Sequence, residues 1–222
     1  MEVLKEFSQD VEETGLPVIV DLSDMQEGEY MLGDMIGDSV ATGAVGVEVA
    51  DSTLDAAAVD AAAGGEDGRV LVDAGRHAGL IRAALRLGGG EEFRVTDFVV
   101  NARCDVFRPD LADPWCGASD AAVLAEAVRR GRMYLEFGAT TVLYAGGPGR
   151  GLRREEEVEV LVRELGGRVR VRLGDGADAL TTGELAEMGA AMIDVGDSLH
   201  WIAINAAREA AARILGGGRL KA

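Results

Sequence analysis

The chain alternates short runs rich in β-branched residues with longer amphipathic stretches, and this alternation limits the available folds more than any other feature. The runs lie at 17–22, 45–49, 97–102, 140–144, 168–172 and 191–195, and the amphipathic stretches at 2–14, 29–42, 75–87, 119–137, 154–165, 182–188 and 198–215. Strands separated by helices of that length run parallel, because each helix carries the chain back to the end of the sheet where the next strand starts. Glycines 43, 88, 138, 166, 189 and 216 follow or end these stretches, where a left-handed cap is expected. With 222 residues and no Pro/Gly/Ser linker, the chain reads as one α/β domain of about six parallel strands.

Two stretches break the alternation. Residues 52–68 are rich in Ala and Gly and nearly devoid of large apolar side chains, so they read as a loop or a frayed helix. Residues 106–118 contain two prolines and several turn residues, which makes a second long loop. Both follow a strand, on the carboxyl side of a parallel sheet, where sites are assembled from loops.

Charge narrows the function classes. The 22 Lys and Arg against 39 Asp and Glu give a net charge of −17, and residues 1–60 hold 15 acidic residues and one basic one, Lys5. Such a field disfavours nucleic acid and anionic membranes as partners. The first residues are charged and no apolar run approaches a membrane span, so a cytoplasmic setting is expected. Cys104 and Cys116 have neither CxxC spacing nor further cysteines, and both read as reduced thiols.

The polar residues at strand exits are the informative set. Asp21 ends the first strand, Asp51 follows the second, Asn101, Arg103 and Asp105 mark the end of the third, Tyr144 ends the fourth, Arg172 the fifth, and Asp194 with Asp197 flank the sixth. Converging carboxylates suit a hard cation such as Mg²⁺, and an arginine beside them suits a bidentate grip on a carboxylate or phosphate. The plain alternative is that Asp and Arg are common where strands end in solvent. Gly146 to Gly149 lacks the lysine and hydroxyl of a P-loop, and His77 and His200 have no partner at ligand spacing.

In their order and spacing these motifs resemble the isocitrate lyase and phosphoenolpyruvate mutase superfamily, whose members are (β/α)8 barrels. Asp21-Leu-Ser-Asp-Met-Gln-Glu-Gly28 is similar to the superfamily's Asp-x-Asp-x-Gly-Tyr-Gly. Gly43-Ala-Val-Gly-Val-Glu-Val-Ala-Asp51 resembles Gly-Ala-x-Gly-x-x-x-Glu-Asp, and Asn101-Ala-Arg-Cys-Asp105 resembles Asn-Ala-Arg-Thr-Asp. The helix from Ala127, and the segments 184–189 and 194–199, continue the likeness, which runs from about residue 16 to 215.

The resemblance implies a Mg²⁺-dependent enzyme acting on a C–C or P–C bond of a small 2-oxo or dicarboxylic acid through an enolate. Asp21 then binds the metal and takes part in catalysis, with Asp24 and Asp51 as further metal ligands. Arg103 holds the acid, with Asn101 and Asp105 beside it. Ser23, Gln26 and Ala50 stand where the superfamily has aspartate, tyrosine and glutamate. Glu27 and Glu48 are further substitutes, although Glu48 alternates with Val49 and is expected to serve only if the register shifts. Residues 52–68 hold no Lys, Cys, Asn or His, the residue types of the usual catalytic loop. The second function class is therefore a non-catalytic relative that binds a small acid or serves as a subunit.

The expected fold is an incomplete (β/α)8 barrel that opens on the helix before the superfamily's third strand. Its open edge calls for cover from residues 1–14, a partner chain or a further segment. Because the superfamily exchanges its last helix between subunits, 198–222 is the expected contact of a homo-oligomer.

Overall fold

The computed structural model describes residues 15–23, 28–54, 69–108, 119–144, 152, 155–174, 176 and 179–219. The expected helix at 2–14, Asp24, Glu27, Cys116, the Gly146–149 turn and most of both long loops lie outside these residues.

In chain order the elements are β1 (Ile19–Asp21), α1 (Gly28–Ala41), β2 (Gly46–Ala50), β3 (Ser52–Leu54), β4 (Arg69–Leu71), α2 (Ala74–Gly88), β5 (Val99–Cys104), α3 (Asp120–Glu136), β6 (Val142–Tyr144), α4 (Glu155–Glu164), β7 (Val169–Arg172), α5 (Thr182–Glu187), β8 (Met192–Asp194) and α6 (Ser198–Leu215). Six strands form one parallel sheet in the order β1-β2-β5-β6-β7-β8, curled into half of a (β/α)8 barrel. The alternation in the sequence is therefore the architecture.

Helix starts follow local chemistry. Asp73 caps α2 by accepting from Arg76 N at 2.9 Å, and Ser119 caps α3 by accepting from Ala122 N at 3.3 Å. Thr181 and Glu184 form a reciprocal capping box on α5. Gly43, Gly138, Gly166 and Gly189 take the left-handed conformation expected after a helix. Gly88 and Gly216 do not. Gly88 is the last residue of α2, and Gly216 caps α6 at φ −77°, so the left-handed residue comes one position later, at Gly217. The third strand begins at Val99 rather than at 97 because Asp97 is left-handed, at φ 56°, and such a residue cannot extend a strand.

Alternation divides the side chains of the sheet between two faces. Val47, Val49, Val100, Ala102, Cys104, Val142, Tyr144, Val169 and Val171 point toward the helices, each no more than 2% exposed. Tyr144 fixes the direction, since its hydroxyl donates to the Ala127 carbonyl of α3 at 2.8 Å. The other face holds Asp21, Glu48, Asn101, Arg103, Arg170, Arg172 and Asp194. Register brings them into rows: Asp21 beside Glu48, Glu48 beside Asn101, Ala50 beside Arg103, and Arg172 beside Asp194. Charged residues thus line the inside of the curl, while apolar ones pack beneath the helices.

The expectation of a loop or frayed helix from residue 52 onward is corrected at its start. Ser52–Leu54 forms β3 and pairs antiparallel with Arg69–Leu71, Ser52 opposite Leu71 and Leu54 opposite Arg69. Only Asp51 separates this hairpin from β2.

Helix α6 has no buried residue and exposes Leu199, Trp201, Ile202, Ile214 and Leu215. Trp201 Nε1 donates to Asp197 at 2.7 Å, and the exposed His200 ring meets Trp201 edge to face. Among the described residues, no helix is long and apolar enough to cross a membrane.

Candidate active site

Arg103 is the centre of the inner face. Its Nε and Nη2 donate to the two oxygens of Asp105 at 3.0 and 3.1 Å, a bidentate grip between two residues at the carboxyl end of β5. The Ser52 hydroxyl of the hairpin donates to Asp105 as well, so the carboxylate is anchored from a second element. Nη1 is the remaining edge, 3.6 Å from Asp21 Oδ2. Burial works against the charge on Arg103, but Asp105, Asp21 and Glu48 outweigh it and hold its pKa above the ordinary value. The guanidinium is therefore permanently charged and oriented in advance.

Asp21 ends β1 with its side chain 56% exposed. Its Oδ1 accepts from the backbone N–H of Ser23 at 2.8 Å and from the Ser23 hydroxyl. Asn101, buried beneath, accepts from the Thr141 hydroxyl at 2.7 Å. The structure thus brings Asp21, Asn101, Arg103 and Asp105 to one face. Asp105 serves as the support of Arg103, since its oxygens already accept from Arg103 and Ser52.

Asp51 is elsewhere. Expected as a metal ligand, it falls in step with Val47 and Val49 and turns toward the helices. Oδ1 accepts from Asp105 N at 2.8 Å, while Oδ2 accepts from Tyr134 Oη at 2.7 Å and Arg130 Nη1 at 3.1 Å. Burial first, and then the neighbouring Asp105, push its carboxyl above the usual range against the pull of Arg130. A fully enclosed carboxylate with three protein donors is a structural joint.

Glu48 needs no register shift. It lies two residues from Ala50 and so shares its face, opposite Asp21 in the sheet. Arg170 of β7 reaches across the curl to donate to Glu48, and its Nη2 donates to Asp194 Oδ2 at 3.1 Å. Burial pushes the Glu48 carboxyl up, reinforced by Asp21 and Asp194 and opposed by Arg170 and Arg103. Asp194 also accepts from Gly196 N at 2.6 Å, with Arg172 Nη2 4.0 Å away.

Sequence reasoning missed Arg170. The signal was present in Arg168-Val-Arg-Val-Arg172, whose strict alternation puts valines under the helices and arginines Arg170 and Arg172 inside the curl. Cys104 lies on the helix side, fully buried, and burial raises its thiol well above the ordinary value. It is not an activated nucleophile.

Among the described residues, which leave out Asp24 and Glu27, the donor set on the inner face does not fit the Mg²⁺ that the resemblance implies. Glu48 and Asp194 already accept from Arg170, Asp105 from Arg103, and Asp51 faces the helices. Among the described inner-face carboxylates Asp21, 56% exposed, is the one most open to solvent. No group of three or more His, Cys, Asp or Glu among the described residues is arranged to hold a metal ion.

Comparison with known proteins agrees with the fold. Solved structures align over nearly all of the chain. A protein described as a phosphonomutase from Burkholderia cenocepacia J2315 shares 27% identity with a TM-score of 0.71, covering 97% of this chain and 75% of its own. A phosphoenolpyruvate phosphomutase from Streptomyces platensis subsp. rosaceus shares 22% at a TM-score of 0.71, covering 99% and 68%. Oxaloacetate acetylhydrolase in complex with oxalate shares 19% at 0.70, covering 99% and 66%. The chain spans between 62% and 75% of the length of the first structures it matches. No curated protein matches it. The family model described as phosphoenolpyruvate phosphomutase matches residues 1–215. With strand-exit motifs, half-barrel and family model in agreement, this chain belongs to the phosphoenolpyruvate phosphomutase family.

Proposed function

We propose that the chain is a lyase- or mutase-like enzyme acting on a C–C or P–C bond of a small 2-oxo or dicarboxylic acid through an enolate-like intermediate. The observation that supports this is the pairing of a prearranged Arg103 with a solvent-facing Asp21 on the inner face of this fold. Arg103 binds the acid group and lies beside the oxygen on which charge develops, and a fixed, partly desolvated cation stabilises that charge without reorganising. In the C–C cleavage direction Asp21 accepts the proton of a substrate hydroxyl. The O–H electron pair then forms the new carbonyl, the C–C bond breaks, and its electrons remain on the released fragment as an enolate that is later protonated.

Oxalate binding by calorimetry tests the site. Removing either charged group, in Asp21→Ala or Arg103→Ala, should cost on the order of 2–5 kcal/mol. Equal binding in all three proteins, or none in any, removes the assignment. Turnover is tested on oxaloacetate-like, phosphonopyruvate-like and 2-methylisocitrate-like acids. The second reading, a non-catalytic relative, is favoured by the lack of Lys, Cys, Asn and His in residues 55–68, and binding without turnover of any of these acids selects it.

The proposal extends to a partner. A helix with no buried residue and five large apolar side chains in water is unusual in a lone chain. A second copy that buries α6 completes the fold.

A further inference from the structure

The inner face gathers more negative charge than Arg103 can balance. Asp21 and Glu48 are neighbours in register, and Asp21 and Asp194 add to the burial that raises the Glu48 carboxyl above its ordinary value. Three carboxylates in a partly water-excluded curl require a cation among them. In many proteins that cation is a divalent metal ion held by oxygen ligands. Here an arginine side chain lies between two of the three.

Arg170 bridges Glu48 of β2 and Asp194 of β8, residues 122 and 24 positions away, with one Nη on each. The three side chains are 13%, 7% and 15% exposed. A carboxylate that turned to a metal ion would take one of its two partners from this partly buried guanidinium. Arg170 also keeps a donor in reserve. Its Nε is buried with no hydrogen-bond partner, and so is Nε of Arg172, two residues along the same face. Both N–H groups lack an acceptor, which the oxygens of a bound acid would supply.

We propose that Arg170 is the resident cation of this site, standing where a divalent metal ion would otherwise neutralise the converging carboxylates, so that small acids bind here without a metal. Arg172 supplies a second donor to the same ligand. The inference rests on the acid-binding reading above, and the two can fail separately.

The experiment measures oxalate binding by calorimetry in EDTA and in Mg²⁺, and Mn²⁺ binding by electron paramagnetic resonance, on the native chain and on Arg170→Gln. The native chain should bind oxalate equally well in EDTA and in Mg²⁺, and should hold no tight Mn²⁺. Arg170→Gln should lose about tenfold or more in oxalate affinity in EDTA. It should also gain a Mn²⁺ site, because Glu48 and Asp194 are released. A native chain that needs Mg²⁺ for oxalate, or that holds Mn²⁺ tightly, overturns the proposal, and so does a folded variant that binds oxalate in EDTA as the native chain does. If oxalate binds in no condition, the acid-binding reading falls. The Mn²⁺ arm still decides for Arg170, a gain in the variant supporting it and a tight site in the native chain overturning it. Should Arg170→Gln fail to fold, the two measurements on the native chain still support or overturn the proposal by themselves.

Discussion

Arg130 of α3 holds its Nη1 3.1 Å from Oδ2 of Asp51, a residue 79 positions earlier, and the two side chains are 7% and 0% exposed. The same guanidinium donates to the Val72 carbonyl at 3.0 Å, and its Nε donates to Glu126 at 2.8 Å. Helix α3, the end of β2 and the residue after β4 are thus joined through one cation.

Removing one partner of a buried pair leaves the other charge uncompensated. Arg130→Met should destabilise the chain by about 3–5 kcal/mol in urea unfolding. Arg132→Ala, which removes a more exposed ion pair between α3 and Glu164 of α4, should change stability by no more than about 1 kcal/mol. Equal losses in the two variants would show that the Asp51 joint is not what holds α3.

His77 gives an acid-side pH dependence. It is buried against Tyr134, ring centroids 4.8 Å apart, and burial together with Arg130 lowers its pKa to about 3. The unfolded chain takes up this proton near pH 6.5, whereas the folded chain resists until about pH 3, so the His77 contribution is complete above about 6.5 and falls as pH drops through that window. Glu48 and Asp51, with raised values, act in the opposite sense and stabilise toward acid. Between about pH 7 and 5 the native chain should lose roughly 2 kcal/mol more than His77→Phe. Parallel stability curves for the two proteins would disprove the buried neutral imidazole.

Two helical glycines should respond to alanine with opposite signs. A Cβ at Gly131 would lie 2.3 Å from Tyr144 Oη and 2.8 Å from Leu165 Cδ1, so Gly131→Ala should destabilise by about 1–3 kcal/mol despite alanine's better helix propensity. Gly79 has no atom within 4 Å of that position, and Gly79→Ala should stabilise by about 0.5–1 kcal/mol. Thermal melts of the two variants check the pair.

The proposed contact through α6 is read by sedimentation. Ile202, 63% exposed, should lie in the interface, and Ile202→Glu should shift the native chain from dimer to monomer without loss of helical content. A native chain that sediments as a monomer at all concentrations removes this partner.

Most of the fold was legible because parallel strands and helices leave periodic marks, and each of the six expected strands lies within one or two residues of an observed one. What escaped was pairing and direction. The hairpin was hidden because Arg69-Val-Leu71 is too short to stand out, and its partner lies across residues 55–68. Asp21 and Asp51 look alike as strand-end aspartates, yet a difference of one step in parity sends one to the open face and the other beneath the helices. The same parity, applied to Glu48 and Ala50, puts both on the site face. Arg103, Asn101 and Asp21 were recognisable by motif, whereas Arg170 belongs to no motif and emerges only when the curl brings β7 across from β2.

The hairpin has a consequence for how the chain can vary. Because Leu54 and Arg69 are register partners, the 14 residues between them start and finish at the same rung, and the barrel strands do not depend on their number. Doubling the length of such a segment adds only about 0.6 kcal/mol of closure entropy. The segment between these two partners is an exchangeable cassette: it can be lengthened, shortened or rewritten, and its chemistry altered, while the scaffold that carries Arg103 and Arg170 keeps its geometry.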